Sequence, residues 1–389
     1  MKKRIGILSL VAVLLVSMLV GCGDSSETGG NTTDDGGVIK IGVFEPMTGA
    51  AAAGGQMTVE GIELANKAKP EVLGREVEIV IVDNKSDKVE SANAVSSLID
   101  KDGVVAIIGS YGSSNSMAAG DIVKEKQIPT VGCSPTNPLV TLDNDYYFRV
   151  CFIDPFQGTV MANYAVNDLG AKTAAIIQDV TQDYSVGLSK YFEDAFLELT
   201  GDDNAIVAKA SYNTGDQDFT AQLTNVSSEN PDVIFAPGNY GESALLIKQA
   251  RDQGINAPIL GGDTWEAPEF LDIGGESVEG IVFSTHFTAE APVTDVSTEF
   301  LDLFTDEYST EANAFAALGY DAYMVILDAI ERADSAAPEA IRDAIAETED
   351  FTGATGFITL DENGDAVKSA IIKQVEDGGF IYLTTVEPY

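Results

Sequence analysis

The sequence contains few of the residues on which most catalytic and metal centres depend. Its 389 residues include one histidine, three cysteines and one tryptophan, and 22 lysines and arginines stand against 62 aspartates and glutamates. The counts exclude a zinc site built on several histidines, a four-cysteine metal cluster and a catalytic machine that uses two histidines. The formal net charge of −40 argues against nucleic acid as a partner, because binding a phosphate backbone requires a basic face.

The motifs of common enzyme classes are also missing. The sequence contains no GxSxG, no P-loop GxxxxGK[ST], no HExxH and no GxGxxG. The only imidazole, His286, follows a predicted strand, a position more typical of a structural or exposed side chain. Asp361–Asp365 partly resembles a calcium loop, but Ala366 stands where such a loop requires glycine. We therefore predict that the protein is not an enzyme and that it has no cofactor and no metal.

Long apolar runs are confined to the N-terminus. Residues 1–21 combine a basic start with the apolar run Ile5–Val20, which is typical of a secretory signal and too short to favour a membrane span. Leu19–Cys22 resembles the bacterial lipobox, which predicts that the Cys22 thiol carries a lipid; an ordinary cleavage site beside a chance cysteine is the alternative. Cleavage before Cys22 removes three basic residues and lowers the formal charge from −40 to −43.

The full chain has 45% hydrophobic residues and can bury a large core. Residues 22–37 contain no apolar residue after the cysteine, which predicts a flexible tether. From residue 38, short β-branched runs alternate with amphipathic segments, as in parallel α/β sheets. This rhythm forms two blocks, residues 38–154 and 155–285, and a largely helical stretch follows them.

The sequence also bears on one local hairpin and on the state of two cysteines. The stretches Gly356–Leu360 and Ala366–Val375 alternate apolar and polar residues around Asn363-Gly364, which predicts that they pair as a hairpin. Cys133 and Cys151 could form a disulfide in an oxidising compartment or remain two buried thiols, and the spacing does not decide between them.

Two polar turns follow predicted strands of the first block. Gly109–Ser116 lies between the strand Val104–Ile108 and a helix, where backbone N–H groups and the helix dipole favour an anion. Simple helix capping by serine and asparagine is the alternative. The second turn, Gly132–Pro138, follows the strand Ile128–Val131 and contains two prolines and several small polar residues. Both turns should lie at the carboxyl edge of a sheet, where open α/β sheets bind ligands.

These turns and several later motifs together resemble one known family. The segments GSYGSSNS, SPTNP, YYFR, QDYSVG, GGDTW and LGYDAY occur in the order found in the substrate-binding proteins of branched-chain amino-acid ABC transporters. The resemblance covers residues 38–389 and implies the type I periplasmic-binding fold, an α/β clamp of two doubly wound parallel-sheet lobes. It also implies a hinge of three crossings, near residues 150–157, 284–288 and 356–368. The N-terminal lobe would then be 38–154 plus 286–357, and the C-terminal lobe 155–285 plus 358–389.

The resemblance also implies a set of ligand-binding residues. A serine hydroxyl of the first turn would bind the carboxylate of a free amino acid, and a serine and a threonine of the second turn would contribute backbone groups and a hydroxyl to its carboxylate and ammonium groups. An acidic residue of the other lobe would bind the ammonium. Two tyrosines would close over the ligand. The only tryptophan, two residues from the acidic residue, is a candidate for lining the side-chain subsite, and two further aromatic residues are candidates of the same kind. The residues of the two turns are Ser113, Ser134 and Thr136, and the acidic residue is Asp263. The two tyrosines are Tyr184 and Tyr240, the tryptophan is Trp265, and the further aromatic candidates are Tyr111 and Phe287.

The chain departs from the family pattern at several positions. Gly54 stands where branched-chain binders can carry a large aromatic, and Pro135 stands where a residue with an N–H group is usual. A cysteine pair of some members is absent, with Ser86 and Gly112 near the matching positions. The default ligand is therefore leucine, isoleucine or valine, while an aromatic or small polar ligand stays open.

We expect from this an exported lipoprotein that faces the outside or the periplasm and is held at the membrane by its lipid. It would deliver an amino acid to a permease with two ATPase subunits. A ligand-sensing receptor domain of the same fold, which binds without transport, is the alternative. The strongly acidic charge supports a net-neutral zwitterion over an anionic solute, because an anion is repelled at long range.

Overall fold

Two mostly parallel β-sheets organise residues 37–388, the part of the chain that the computed structural model describes. The first sheet consists of β1 (Ile39–Glu45), β2 (Glu71–Val72), β3 (Arg75–Asp83), β4 (Ala106–Ile108), β5 (Thr130–Gly132) and β6 (Tyr147–Arg149). Their spatial order is β2-β3-β1-β4-β5-β6, and every neighbouring pair is parallel except β2 with β3.

The second sheet has seven strands, and a small separate hairpin precedes its last two. The strands in chain order are β7 (Ala174–Asp179), β8 (Ile206–Tyr212), β9 (Val233–Phe235), β10 (Ile259–Gly261), β11 (Val282–Thr285), the hairpin β12 (Phe351–Gly353) and β13 (Gly356–Ile358), then β14 (Ala370–Glu376) and β15 (Gly379–Val386). The sheet order is β15-β14-β11-β10-β9-β7-β8, with β14 antiparallel to both of its neighbours.

Helices cover both sheets. They are α1 (Ala52–Ala68), α2 (Lys88–Ser97), α3 (Ser113–Lys126), α4 (Asp154–Asn163), α5 (Asp183–Thr200), α6 (Thr220–Ser228), α7 (Tyr240–Asp252), α8 (Pro268–Gly274), α9 (Asp295–Tyr308), α10 (Ala314–Ala333) and α11 (Pro338–Ala346). Within residues 37–388 no helix is long and apolar enough to cross a membrane. The predicted alternation of strand and helix, and with it the α/β fold class, is confirmed.

Each sheet and its helices form one lobe. We call the first sheet with α1–α3 and α9–α11 the first lobe, and the second sheet with α4–α8 the second lobe, because the strands form two separate sheets. One buried cluster joins the two lobes, since Ala53, Tyr111 and Phe315 pack with the core of the second sheet. The chain passes between the lobes three times: between β6 and α4, between β11 and α9, and between β13 and β14. The predicted three-segment hinge is therefore present. Leu360 and Ala366 still pack in the core of the first lobe, so the third crossing follows them.

The return of the chain to the first lobe depends on two glycines at the crossing of α1 and α10. A Cβ on Gly61 would lie 1.8 Å from the carbonyl oxygen of Ala316, and one on Gly319 would lie 2.2 Å from that of Thr58. Only glycine lets the two backbones approach this closely. The apolar run of α10 is consequently buried against the first sheet.

The predicted hairpin around Asn363-Gly364 is present only at its turn, which an antiparallel bridge between Leu360 and Ala366 and a hydrogen bond from the N–H of Val367 to the carbonyl oxygen of Thr359 at 3.1 Å close. The predicted pairing of the strands beyond it is wrong, because β13 pairs with β12 and β14 lies between β11 and β15. A longer hairpin joins β14 to β15 through Asp377-Gly378, where both residues have positive φ. Alternating polarity indicates a strand but not its partner, and β14 is buried along most of its length, which requires a neighbour on each side.

The two cysteines of the folded part are free thiols. Cys133 and Cys151 are both fully buried in the core of the first lobe, and no disulfide joins them. Burial raises the pKa of both thiols. Of the two alternatives that the sequence leaves open, the structure has the pair of buried thiols.

A buried arginine holds the second polar turn against the hinge. Arg149 is 0% exposed, and its Nε lies 2.6 Å from Oδ1 of Asp365. Its Nη1 donates to the carbonyl oxygens of Pro135 at 2.6 Å and Asn137 at 2.9 Å, and its Nη2 donates to the hydroxyl of Thr141 at 2.7 Å. The guanidinium therefore fixes the backbone of the turn and the segment just before the third crossing with one planar set of donors.

Replacing Arg149 by Met should lower the free energy of unfolding by about 3–5 kcal/mol, because Asp365 would remain buried without a cation. Urea denaturation followed by fluorescence measures this loss. The control is Lys69→Ala, which removes an exposed pair with Glu331 at 3.0 Å; that variant should lose less than about 1 kcal/mol. Equal losses in the two variants would contradict the role given to Arg149.

Candidate ligand-binding cleft

A cavity lies between the two lobes, at the carboxyl ends of the parallel strands of both sheets. Its volume is about 60 Å³, below the about 300–1,000 Å³ of typical small-molecule sites, so the two lobes lie close together around it. The first lobe contributes Ala50, Ala51, Ser86, Tyr111, Gly112, Ser113, Asn115 and Ser134, and the second contributes Gln182, Tyr184, Thr214, Asn239, Asp263 and Thr264. The residues from both lobes line one space, so a ligand there would touch both.

On the first lobe, the cavity wall includes the N-terminus of α3. The helix begins at Ser113 after an extended Gly112, and its first N–H groups have no acceptor within the helix. The Ser113 hydroxyl accepts the N–H of Asn137 at 3.2 Å, which leaves its own hydrogen free to donate. The Ser134 hydroxyl donates to the carbonyl oxygen of Tyr111 at 3.2 Å, which ties the two polar turns together. This wall offers donors and a positive helix end to a negatively charged group.

A buried glutamate at the end of β1 holds the backbone of the first-lobe wall. Glu45 ends β1 and is 0% exposed, and its Oε2 accepts the N–H of Tyr111 at 2.7 Å. Burial raises the pKa of Glu45 well above its ordinary value, while the bond from Tyr111 opposes that shift. The sequence reasoning missed this residue, although its position at the end of an apolar strand was a visible signal.

Asp263 dominates the wall of the second lobe. It follows β10, and only 1% of it is exposed. Its Oδ1 accepts the side-chain amide of Gln157 at 2.8 Å and the hydroxyl of Tyr184 at 2.9 Å. Its Oδ2 lies 3.2 Å from Nε2 of His286. The carboxylate is therefore held by donors from α4, from α5 and from the residue that follows β11.

His286 is the functional neighbour that sequence reasoning did not recognise. Instead of an exposed or merely structural imidazole, it is a buried one in direct contact with Asp263. Its ring lies 4.0 Å, centroid to centroid, from that of Phe152. The usable signal was its place directly after a strand, at a crossing between the lobes.

Four of the sequence-predicted site residues do not line the cavity. Thr136 is fully buried, and its hydroxyl has no hydrogen-bond partner among the described residues. Tyr240 lies at the start of α7 and accepts the N–H of Ala53 of the other lobe at 3.1 Å, so it joins the lobes at the rim. The remaining two, Trp265 and Phe287, are core residues.

The expectations that Trp265 and Phe287 line the side-chain subsite are corrected by the packing. Trp265 is 0% exposed and stacks on Phe270 at 5.1 Å, and its indole N–H donates to the carbonyl oxygen of Gly238 at 3.2 Å. Phe287 packs in the core of the first lobe, edge-on to Phe300. Both side chains point into their own lobes, a direction that sequence position alone does not determine.

Tyr111 occupies the space that Gly54 leaves free. A Cβ on Gly54 would lie 2.2 Å from Cε2 of Tyr111, so the ring lies directly against the glycine backbone. The ring packs edge-on against Phe315 at 4.9 Å, and its hydroxyl is 3.4 Å from Oδ1 of Asn239. The aromatic wall that the first turn lacks is therefore supplied from the turn before α3.

Hydrogen bonds join the two lobes at one rim of the cavity. The Ser114 hydroxyl donates to Oδ2 of Asp183 and accepts the N–H of the same residue, both at 2.9 Å. Lys88 pairs with the same Oδ2 at 2.8 Å, and the Asn137 amide donates to the carbonyl oxygen of Asp183 at 2.8 Å. The lobes are thus closed against each other around the N-terminus of α5.

Comparison with known proteins shows which family has this architecture. The profile of the family described as periplasmic binding protein matches residues 38–379. The chain is 30% identical to the Leu/Ile/Val-binding protein BraC3 of Rhizobium johnstonii over 335 residues, which cover 84% of this chain and 88% of that protein. It is 29% identical to the leucine-, isoleucine-, valine-, threonine-, and alanine-binding protein of Pseudomonas aeruginosa, over 84% of this chain and 87% of that one.

Solved structures agree with these relatives. The crystal structure of a leucine binding protein LivK from Thermotoga maritima superposes with a TM-score of 0.88 and 47% identity, covering 90% of this chain and 99% of that one. The branched-chain amino acid transporter substrate binding protein LivJ from Streptococcus pneumoniae, in complex with isoleucine, gives a TM-score of 0.84 and 32% identity, covering 90% and 100%. Proteins of this kind bind substrates and are not enzymes, which confirms that prediction. The chain belongs to the periplasmic binding protein family and, within it, to the Leu/Ile/Val-binding proteins.

Proposed function

We propose that the protein captures free leucine, isoleucine or valine in the cleft between its lobes and delivers it to an ABC importer. The observation that carries this proposal is the pairing of hydroxyl and helix N-terminal donors on one wall of the cavity with a buried carboxylate on the other. The names of the similar proteins, which include leucine- and isoleucine-binding ones, support the same ligand class.

The first lobe is suited to the carboxylate of the amino acid. Ser113 has a free hydroxyl hydrogen, and the N-terminus of α3 adds unpaired N–H groups and a positive helix end. Ser134 of the second turn lies on the same wall, and because its hydroxyl hydrogen is donated to Tyr111, its oxygen would accept a hydrogen bond from the ligand ammonium. Thr136 lies buried behind this wall. An anion taken out of water needs several such oriented donors.

The second lobe is suited to the ammonium group. Within the described residues, no lysine or arginine nitrogen lies within 4.0 Å of Asp263, so its carboxylate can pair with a cation from the ligand. Gln157 and Tyr184 orient the carboxylate through its Oδ1. A buried ammonium beside such a carboxylate gains a charge-assisted hydrogen bond that water no longer screens.

The side chain of the ligand would meet a wall that is mostly aromatic and aliphatic. Tyr111, Ala50 and Ala51 face the cavity from the first lobe. Because Gly54 carries no side chain, the position of this wall depends on the Tyr111 ring, which Phe315 holds from its other side. A compact aliphatic side chain fits such an apolar surface without leaving a buried polar group unpaired.

Binding and release would use the three-segment hinge. The contacts of Asp183 with Ser114, Lys88 and Asn137 exist only while the lobes are closed. A ligand that contacts both walls stabilises this closed state over an open one, and only that difference in affinity shifts the population. The closed form would be the one that the permease, with its two ATPase subunits, receives.

Calorimetry with the twenty amino acids tests the proposal. We expect leucine, isoleucine and valine to bind, and we expect Asp263→Asn to weaken that binding about a hundredfold or more, because the ammonium would be buried without its partner. The matched control is Asp272→Asn, which removes one exposed carboxylate from the same lobe and should bind as the wild type does.

Small-angle scattering of the same samples adds a measure of closure. The radius of gyration should fall when leucine is added to the wild type. Failure of the wild type to bind any of the twenty would refute the proposed ligand class, whereas unchanged affinity of Asp263→Asn would show that the ammonium binds elsewhere.

The membrane attachment is proposed from the sequence. The signal at residues 1–21, the lipobox cysteine and the polar tether 22–37 lie outside the residues that the structure describes, apart from Gly37. Their order favours an exported protein with a lipid on Cys22 and a tethered binding domain that begins near residue 38.

Cell fractionation tests this attachment. The full-length wild type should sediment with membranes, and Cys22→Ser should move the protein to the soluble exported fraction, because serine offers no thiol for the lipid. Ser25→Ala, three residues further along the tether, serves as the control and should stay with the membranes. A wild type that is soluble, or a Cys22→Ser variant that remains attached to membranes, would contradict lipid anchoring.

A further inference from the structure

The only histidine of the chain is buried against the carboxylate that we propose for the ligand ammonium. His286 is 4% exposed, its Nε2 lies 3.2 Å from Oδ2 of Asp263, and its ring packs on Phe152. The other carboxylate oxygen is already held by Gln157 and Tyr184. His286 is therefore the one side chain among the described residues that orients Oδ2.

The charge of His286 decides what Asp263 can offer. A neutral imidazole with its hydrogen on Nε2 donates to Oδ2 and leaves the carboxylate with its full negative charge. A protonated imidazole makes the same hydrogen bond but cancels that charge, and it would place a second cation beside the ligand ammonium. Two cations sharing one buried carboxylate repel each other.

We infer that His286 is a positioning residue for Asp263 and that the cleft binds an amino acid only when this imidazole is neutral. The inference rests on the proposed function and extends it to the pH dependence of binding. A protonated His286 must lose its proton when the ligand binds, so the two events are linked. Affinity should therefore fall as acidification protonates the imidazole.

The other buried ionisable groups around the hinge either change charge at another pH or are paired with a group of opposite charge. Asp154 of α4 has both carboxyl oxygens buried, and burial raises its pKa to about 8, so it is neutral below that value. Burial lowers the pKa of Lys368, on the third crossing, to about 8, so it is charged below that value. Burial raises the pKa of Tyr184, and Arg149 is paired with Asp365.

The pH interval in which the affinity falls distinguishes His286 from Asp154 and Lys368. Between about pH 7 and 5 neither Asp154 nor Lys368 changes charge by much, so a loss of affinity in that interval requires another group. The surface carboxylates that begin to protonate there are common to the wild type and to any variant of His286. A variant without the imidazole therefore isolates its contribution.

The test measures leucine binding by calorimetry from about pH 5 to 8, with wild-type protein carrying a histidine-free purification tag. His286→Gln keeps a side-chain donor within reach of Asp263 but does not titrate. His286→Phe keeps a ring that can stack on Phe152 but has no donor. Asp154→Asn is the control for the other buried acid, and thermal unfolding confirms that each variant is folded.

The expected results differ for each variant. Wild-type affinity should fall by up to tenfold per pH unit on the acidic side, the limit for one linked proton. His286→Gln should bind nearly as the wild type does at about pH 8 and lose much less affinity on acidification. His286→Phe should be about tenfold weaker at about pH 8, because Asp263 loses an orienting donor. Asp154→Asn should follow the wild type in that acidic interval.

A second readout follows the imidazole itself. Because the chain has a single histidine, one set of imidazole signals in the NMR spectrum reports its protonation. Saturating leucine should move the midpoint of that titration to lower pH. A midpoint that leucine leaves unchanged, or a His286→Phe variant with wild-type affinity at every pH, would overturn the inference while leaving the proposed function intact. A wild type that binds none of leucine, isoleucine and valine at any pH would overturn both.

Discussion

The cleft is organised by a carboxylate that is buried without a fixed positive partner. Asp263 is 1% exposed and is held by three neutral or titratable donors. Burying an ion costs several kcal/mol even after the protein relaxes around it, so the donors reduce this cost without removing the charge. A ligand that brings an ammonium group into the cleft compensates the charge that the fold has placed there. The hinge is part of the same arrangement, because Gln157 belongs to the helix that follows the first crossing between the lobes and His286 lies on the second crossing.

The wall of the first lobe presents dipoles to the cavity instead of a charged side chain, and these dipoles suit a negatively charged group. The N-terminus of α3 and the hydroxyl of Ser113 form a wall of donors, and the buried Glu45 holds the backbone of this wall by accepting the N–H of Tyr111. Arg149 lies on the far side of the second turn, where its guanidinium donates hydrogen bonds to carbonyl oxygens and pairs with Asp365. The one buried arginine of this region is therefore not free to bind a ligand; it stabilises the second turn. Under the proposed function, a zwitterion would contact both lobes and so favour their closure.

The sequence was sufficient for the α/β fold class, the family and the places where strands end in polar turns. These features depend on local periodicity and on motif order, and Ser113, Tyr184 and Asp263 lie on the cavity wall because each directly follows a buried strand or its turn. The direction of Trp265 and the partner of β14 depend instead on contacts between elements far apart in the chain. The compensation of Gly54 by the Tyr111 ring and the contact of His286 with Asp263 are likewise tertiary, so no local pattern contains them.

The central claim is that Asp263 pairs with the ammonium group of an amino acid held across the closed cleft. A double-mutant cycle measures this pairing directly, with calorimetry of wild type and Asp263→Asn against leucine and against 4-methylpentanoate, which is leucine without its ammonium. If the pairing exists, loss of the ammonium weakens binding strongly in the wild type and little in Asp263→Asn, giving a coupling energy of at least about 1 kcal/mol, as contacting groups do. Equal losses in the two proteins, and hence no coupling, would contradict the claim.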